Sequence, residues 1–205
     1  MLARRNITGM IAGAALLSCF GLTAANAADT PQHLRGTITG FENHELTIEK
    51  VRGGSATVKL NDDGRIFLVK KSDLASIKPE QFVGITSVEQ DGKRIAREVH
   101  VFAEDLRGLG EGHYPWDLDT GPNMMTNANI AKIQEVGGDR VLKLNYAGGE
   151  QTISVPSDAA IVSFEKASAD QLIAGRKVFI VMKLQPDANT AAAVVIGADG
   201  LKPPM

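Results

Sequence analysis

The two halves of this 205-residue chain repeat one pattern of apolar and turn residues at a spacing of 95 positions. Turn glycines take part as well as strand positions, because Gly53-Gly54 is matched by Gly148-Gly149. The matched apolar pairs are Ile38 with Ile133, Val58 with Ile153, Leu60 with Val155, Ile66 with Ile161, Ile77 with Leu172, Val83 with Val178 and Ile85 with Ile180, and a slip of one residue pairs Leu46 with Leu142. This agreement indicates a true internal repeat, which restricts the chain to folds made from two similar units.

Both halves consist mainly of short runs in which apolar and polar residues alternate, separated by Gly or Asp. A period of two is typical of β-strands with one buried face. The predicted strands are 34–41, 45–51, 56–60, 82–90 and 95–102 in the first half, and 130–136, 141–146, 151–155, 178–184 and 192–196 in the second. One helical signal of about two turns occurs at the same place in each half, at 72–77 and 168–173, and each begins with a serine.

Each half is therefore predicted to contain three strands, a short helix and two further strands. This is the order of the OB barrel, in which the helix covers the gap between strands three and four. An SH3-like barrel is the main alternative, because it also uses five short strands. We predict an all-β protein of two tandem five-stranded OB-like small barrels, each with a short helix, over residues 34–103 and 129–199. A long, ordered, glycine-rich linker over 104–128 would join them.

Residues 1–27 have the features of a signal peptide for export to the periplasm. Arg4 and Arg5 give a positive start, residues 10–22 are apolar, and Ala25-Asn26-Ala27 forms a small-x-small cleavage site. We therefore expect a mature chain that begins at Ala28. It contains no stretch that is apolar enough to span a bilayer.

The single cysteine of the chain, Cys19, lies within this signal. Leu16-Leu17-Ser18-Cys19 resembles a lipoprotein box, so the alternative to soluble export is a lipid anchor on Cys19. The mature domain is left without a disulfide, a thiolate metal site or a cysteine nucleophile.

Charge and residue usage narrow the class of function. The formal net charge of −2 becomes more negative when the two arginines of the signal are removed. A nucleic-acid partner would need a basic stripe, so none is predicted. No serine lies in a nucleophile-elbow setting, and the four histidines form no recognisable triad, so no catalytic residue is predicted.

Two sets of motifs resemble a known group of proteins. Gly36-Thr37-Ile38, Leu46-Thr47-Ile48 and Val58-Lys59-Leu60 form a Gly-x-Ile, Leu-x-Ile, Val-x-Leu pattern, and the centre of the chain reads Arg-Gly-Leu-Gly-Glu-Gly-His-Tyr-Pro-Trp-Asp-Leu over 107–118, then Met-Thr-Asn-Ala over 125–128. Together they resemble exported bacterial tandem OB-fold-like proteins, a proteobacterial family often labelled metal ABC transporter permease. The resemblance implies a periplasmic protein of OB-like modules. The permease label does not fit a mature sequence without an apolar span.

The linker concentrates residue types that bind metals, namely Glu111, His113, Asp117, Asp119, Met124 and Met125. Periplasmic copper sites use His and Met, whereas harder divalent ions prefer carboxylates. The spacing matches no established ligand motif, and carboxylates in a Gly-rich loop also act as turn caps. A copper or divalent-ion site formed by Glu111, His113, Asp117, Met124 and Met125 is therefore one alternative, and no other cofactor is predicted.

Trp116 is the only tryptophan and shares the linker with Tyr114. These two rings could form an aromatic platform for a sugar or peptide ligand, as OB faces often do. Trp116 could instead anchor the linker between the barrels by burying its apolar area, which is the interpretation we favour. The alternating Gly108, Gly110 and Gly112 predict a loop with unusual backbone angles.

His100 lies in the run Val99-His100-Val101-Phe102. If Val99 and Val101 point into a barrel, strand alternation directs His100 outward. We therefore predict a structural histidine that faces solvent.

These features favour a non-catalytic periplasmic protein that binds a ligand or maintains the envelope. An envelope protein or a glycan would be its partner. The alternatives are the metal-binding accessory protein described above and an unrecognised hydrolase.

Overall fold

The computed structural model describes residues 32–118, 121–184 and 189–205. The predicted signal peptide over 1–27, the lipidation site Cys19 and the candidate ligand Asp119 lie outside the described residues. The described part is all-β. None of its helices has the length and apolar character needed to cross a bilayer.

The two halves have the same order of strands and single helical turns. The first half contains β1 (His33–Glu42), β2 (Glu45–Lys50), β3 (Ser55–Lys59), β4 (Arg65–Lys71), the 3-10 turn η1 (Leu74–Ser76), β5 (Phe82–Gln90) and β6 (Lys93–Phe102). The second contains β8 (Asn123–Val136), β9 (Asp139–Tyr146), β10 (Gly149–Val155), β11 (Ala160–Lys166), η3 (Ala169–Gln171), β12 (Lys177–Met182) and β13 (Ala191–Gly197). Between the halves lie η2 (Glu104–Leu106) and β7 (Gly112–Trp116), and η4 (Ala198–Gly200) follows β13.

The predicted two-turn helices are wrong, because each signal forms a single 3-10 turn. In η1 the N-cap is Asp73, whose carboxylate accepts a hydrogen bond from the Ser76 amide at 3.0 Å. Lys78 precedes Pro79, and a residue before proline is disfavoured in the helical region, so the turn cannot be extended. Strands β4 and β11, which come before these turns, are also additional to the predicted set.

A closed five-stranded barrel is built from both halves of the chain. β8, β9 and β10 of the second half form an antiparallel meander, and β5 of the first half pairs with β8. β6 is antiparallel to β5 and closes the ring by a parallel pairing with β10. The interior is correspondingly mixed, since Ile85 and Val99 from the first half pack with Leu142, Leu144 and Ile153 from the second.

A second core lies among the first three strands of the first half and the last two strands of the second half. β1, β2 and β3 form a meander, β12 pairs with β1, and β13 pairs with β12. Ile48 and Val58 thereby pack with Ile180 and Val194. A single parallel bridge between Lys59 and Thr190 connects β3 with the residue before β13.

The hydrogen bonds do not follow the predicted boundaries of 34–103 and 129–199. The last two strands of each half pair with the first three strands of the other half. The physical reason lies in β4 and β11, which follow the first three strands of each half and carry the chain from one core to the other. The repeat is therefore present, but its two copies exchange strands.

β4 and β11 lie at the centre of the sheet and pair with one another in antiparallel register. Val69 lies opposite Phe164, and these two residues are related by the repeat spacing of 95 positions. β4 is parallel to β13 and β11 is parallel to β6. An approximate twofold axis thus passes through the Val69 and Phe164 pair and relates the two cores.

Hydrogen bonds also correct one of the matched pairs. The Ile38 amide donates to the Arg176 carbonyl, and the equivalent bond in the other half runs from the Ile130 amide to the Gln81 carbonyl. Ile130, not Ile133, is therefore the counterpart of Ile38. The β8–β9 hairpin is longer than the β1–β2 hairpin, and the longer hairpin displaces the spacing in this strand.

The predicted linker is ordered over its described part. β7 pairs in antiparallel register with β8, from Gly112 opposite Asn127 to Trp116 opposite Asn123. Gly108, Gly110 and Gly112 have φ values of 84°, 60° and 143°, as the alternating glycines predict.

Strand exchange predicts that neither half folds alone as a monomer. Residues 28–120 and 121–205, produced separately, should each lack a cooperative thermal transition, because β5–β6 and β12–β13 lose the partners that cover their apolar faces. An equimolar mixture should recover the circular dichroism and the melting transition of the intact chain. A stable, monomeric, cooperatively melting half would contradict the exchanged pairing.

Candidate functional site

A cavity of about 540 Å³ lies between the outer faces of the closed barrel and of the strands around the second core. Six aromatic rings contribute to its wall: Phe67, Phe102, Tyr114, Trp116, Phe164 and Phe179. Its walls therefore come from both halves of the chain and from β7. The cavity depends on the strand exchange, because the exchange brings these faces together.

Two rows of paired residues place the polar and charged groups of the wall. Arg65 lies opposite Ala193 on β13, Ala193 opposite Val181 on β12, and Val181 opposite His33 on β1. Paired residues of neighbouring strands point to the same side of a sheet, so this row forms one continuous surface.

The second row runs across β8, β5 and β6 as Asn127, Gly84 and His100. Gly84 has no side chain between its two polar neighbours. A Cβ atom at this position would lie 2.6 Å from Asn127 Oδ1 and 3.4 Å from His100 Nδ1. The glycine is thus required to hold the amide and the imidazole side by side.

The orientation of the Asn127 amide is fixed by three acceptors. Its Nδ2 lies 3.2 Å from the Leu109 carbonyl, 3.1 Å from the Gly110 carbonyl and 3.2 Å from Tyr114 Oη. A flipped amide would place its oxygen against two carbonyl oxygens. Oδ1 is consequently directed elsewhere, and it is buried without a hydrogen-bond partner among the described residues.

His100 is 3% exposed, so the prediction that it faces solvent is wrong. Val99 and Val101 do pack in the barrel core, and His100 is on the outer face as alternation requires. The cavity and the aromatic rings cover that outer face, and the His100 ring centroid lies 5.9 Å from that of Phe164. Sequence alternation identified the correct face but not what covers it.

The imidazole of His100 is neutral at pH 7. Burial lowers its pKa to about 4, and a hydrogen bond with the Pro204 carbonyl opposes this effect more weakly. Nε2 lies 3.5 Å from Glu98 Oε1 without hydrogen-bond geometry, and it is a second buried polar atom without a partner in the described residues. Glu98 is itself buried and accepts a hydrogen bond from Thr86 Oγ1 at 2.6 Å.

Trp116 and Tyr114, the two predicted ligand-binding residues, both line the cavity. The Trp116 ring centroid lies 4.6 Å from that of His33 and 5.9 Å from that of Phe179, so the indole also packs β7 against β1 and β12. Trp116 Nε1 is a third buried polar atom that lacks a partner among the described residues. The Trp116 ring can therefore both anchor the linker and form part of an aromatic platform for a ligand.

The predicted metal ligands do not come together. Glu111 accepts a hydrogen bond from the Ala147 amide at 2.9 Å, whereas His113 Nδ1 lies 2.8 Å from Thr126 Oγ1. Met125 is buried and lines the cavity, but Met124 is not part of its wall. Across 32–118, 121–184 and 189–205, no group of three or more His, Cys, Asp or Glu side chains is arranged to hold a metal ion.

Asp117, the remaining metal candidate, joins β7 to β1. His33 Nδ1 lies 2.5 Å from Asp117 Oδ1, and Arg35 donates to both carboxylate oxygens at 3.1 and 3.3 Å. These partners lower the pKa of Asp117 although its partial burial acts in the opposite direction. The carboxylate therefore fastens the linker beside the cavity.

The last described residues cover another side of the cavity. Met205 is 5% exposed and contributes to the wall, and its carbonyl oxygen accepts a hydrogen bond from Arg35 Nε at 2.7 Å. Arg35 thus forms hydrogen bonds with both Asp117, which follows β7, and Met205, among the last described residues.

Sequence reasoning missed most of the wall, including Arg65, His100, Asn127 and the four phenylalanines, and it missed Gly84 between Asn127 and His100. A usable signal was present, because 66–69 and 99–102 contain almost uninterrupted apolar residues. Such runs indicate strands that are covered on both faces. The partner that covers the second face could not be identified without the strand exchange.

Comparison of the chain with protein-family models, with curated proteins and with solved structures finds no match.

The pKa of His100 predicts a specific loss of stability in acid. The unfolded chain binds a proton near pH 6.5 and the folded protein only near pH 4, so stability is complete above pH 6.5 and falls as the pH decreases toward 4. A shift of this size corresponds to a loss of about 3 kcal/mol in the free energy of unfolding. Urea unfolding between pH 7 and 4 measures it.

His100→Gln should remove most of this pH dependence. The matched control is His44→Gln, since the His44 side chain is 71% exposed and this variant should behave as wild type. Equal pH dependence in the two variants would contradict a buried, neutral His100.

Proposed function

We propose that this chain is an exported, non-catalytic binding protein that holds a small, predominantly apolar ligand in the cavity between its barrels. The observation that carries the proposal is the presence of three buried, unpartnered polar atoms, Asn127 Oδ1, His100 Nε2 and Trp116 Nε1, on residues that line one aromatic cavity.

The dimensions of the cavity suit a small molecule. Ligand pockets typically have volumes of roughly 300–1,000 Å³ and apolar, aromatic walls with a few fixed polar groups. At about 540 Å³, with six aromatic rings in its wall, this cavity has both features. Ring edges and faces favour a ligand that itself carries a ring or another compact apolar body.

The three polar atoms support binding more strongly than the volume does. Buried polar groups in proteins are nearly always hydrogen-bonded, so three such atoms around one cavity indicate where the polar groups of a ligand would bond. A ligand that donates to Asn127 Oδ1 and His100 Nε2 and accepts from Trp116 Nε1 would supply these hydrogen bonds. The wall thus has the polarity pattern that the ligand must complement.

The chemistry of the wall favours binding over turnover. His33 and Asp117 form an oriented pair, but the described residues around the cavity include no Ser, Thr or Cys side chain that this imidazole could activate. The hydrolase alternative therefore has no supporting contact, and the dispersed carboxylates give the metal alternative none.

We further propose that both five-stranded sets are OB-like barrels. The closed ring supports this proposal. In it β8, β9 and β10 form a meander, β5 and β6 complete the ring, and β10 pairs with β6 in parallel. The second set has the same order with the halves interchanged. The features of residues 1–27 support export to the periplasm, where the ligand would be encountered.

An uncharged aromatic probe tests the proposal. N-phenyl-1-naphthylamine should bind at one saturable site, and excitation of Trp116, the only tryptophan, should sensitise its emission. At a hundred times the dissociation constant the folded protein should gain about 2.7 kcal/mol, so the melting midpoint should rise.

Ala193→Met should fill the cavity, because Ala193 is 8% exposed and lies in the wall, and it should weaken binding at least about tenfold by excluding the probe. Ala147→Met makes the same change at an exposed hairpin position and should bind as wild type. Absence of saturable binding, or equal binding by the two variants, would contradict the proposal.

A further inference from the structure

Arg65 is the one lysine or arginine among the described residues of the cavity wall, and the same lining includes no aspartate or glutamate side chain. Glu98 is buried beside His100, and Asp117 is bound by His33 and Arg35, but neither carboxylate lies on the wall itself. The wall therefore disfavours a cationic ligand.

Arg65 differs from the other cations of this region in having no counter-ion. Arg35 pairs with Asp117, Lys166 with Asp105 and Lys183 with Asp63, at 3.1, 2.8 and 3.0 Å. Arg65 forms no ion pair or side-chain hydrogen bond with any described residue. Its guanidinium is thus available, within the part of the chain that the structure describes.

The position of Arg65 places this charge where the cavity meets solvent. Arg65 is exposed although it belongs to the wall, and Gly110 and Pro115 are the other exposed lining residues. Beside it, Ala193 has only a methyl group, so the row from Arg65 toward Val181 leaves room for a ligand. A guanidinium at the rim can bind an anion without the cost of burying it.

We infer that the ligand is a small organic anion with an apolar, ring-bearing body, such as an aryl-substituted carboxylate. Arg65 would bind the anionic group at the rim by charge-assisted hydrogen bonds. The body would lie among the phenylalanines, with Asn127, His100 and Trp116 bonding to its polar atoms. This inference rests on the proposed binding function and specifies its ligand class.

Three compounds with one apolar body and different head groups test the inference. They are 4-phenylbutanoate, 4-phenylbutan-1-ol and 4-phenylbutylamine, titrated by calorimetry and by the emission of Trp116 excited at wavelengths that phenyl groups do not absorb. The carboxylate should bind about three- to tenfold more tightly than the alcohol, and the amine most weakly. Because Arg65 is exposed, added salt should reduce the preference for the carboxylate.

Arg65→Gln should lower the affinity for the carboxylate to that for the alcohol and leave the alcohol unchanged. Arg52→Gln is the matched control, because Arg52 is exposed on the β2–β3 turn and outside the cavity wall. If the alcohol binds as well as the carboxylate, or if Arg65→Gln behaves as Arg52→Gln, the anion inference is wrong and the binding function stands. If none of the three compounds binds, the anion inference is wrong, and if N-phenyl-1-naphthylamine also fails to bind, the binding function is wrong as well.

Discussion

The antiparallel pairing of β4 with β11 is the contact on which the rest of this protein depends. It joins equivalent strands of the two repeats, with Val69 opposite its own counterpart Phe164. On its other edge each strand has a parallel partner from the other half of the chain. β4 pairs with β13, and β11 pairs with β6. β4 and β11 lead from the first three strands of each half to the core that the last two strands complete, so the central pair accompanies the strand exchange.

Exchange links stability to the binding site. Each core contains residues from both halves, so the two halves of the chain cannot separate without exposing apolar strands such as β5 and β12. The outer faces next to the central pair form a third apolar cluster that includes Phe67, Phe102 and Phe179. The cavity lies in this cluster, and its wall combines residues from both halves of the chain.

The sequence was sufficient for the repeat and for ten of the strands, and insufficient for β4, β7, β11 and the pairing of the strands. Alternation places Val99 and Val101 in a core and His100 on the opposite face, and both placements are found. Solvent exposure of His100 does not follow from alternation, because the covering rings come from strands distant in sequence. The tandem boundaries fail for a related reason, since period-two patterns show which face is buried but not which strand lies alongside.

The candidate site was predictable only in part. Tyr114 and Trp116 were identified because Trp116 is the only tryptophan and shares the long glycine-rich linker with Tyr114, and both line the cavity. Asn127 and Gly84 are unremarkable in sequence, and their roles arise from cross-strand neighbours. The clustering of Glu111, His113 and Asp117 in the sequence does not produce one shared site, because each side chain bonds elsewhere: Glu111 to the Ala147 amide, His113 to Thr126, and Asp117 to His33 and Arg35.

The most direct test of the account is a disulfide between strands that meet only if the halves exchange. Thr37 lies opposite Lys177, and Lys177 Nζ donates to Thr37 Oγ1 at 2.8 Å. Directly opposed residues of antiparallel strands have the Cα separation that a disulfide requires. Without residues 1–27 the chain has no other cysteine, so Thr37→Cys with Lys177→Cys gives an unambiguous result.

The account predicts that the double variant forms one intramolecular disulfide under mild oxidation, remains monomeric and melts no lower than wild type. Peptide mapping would identify the link between positions 37 and 177. Failure of this disulfide to form, together with formation of one between positions 37 and 82 in the matching tandem variant, would contradict the exchanged fold.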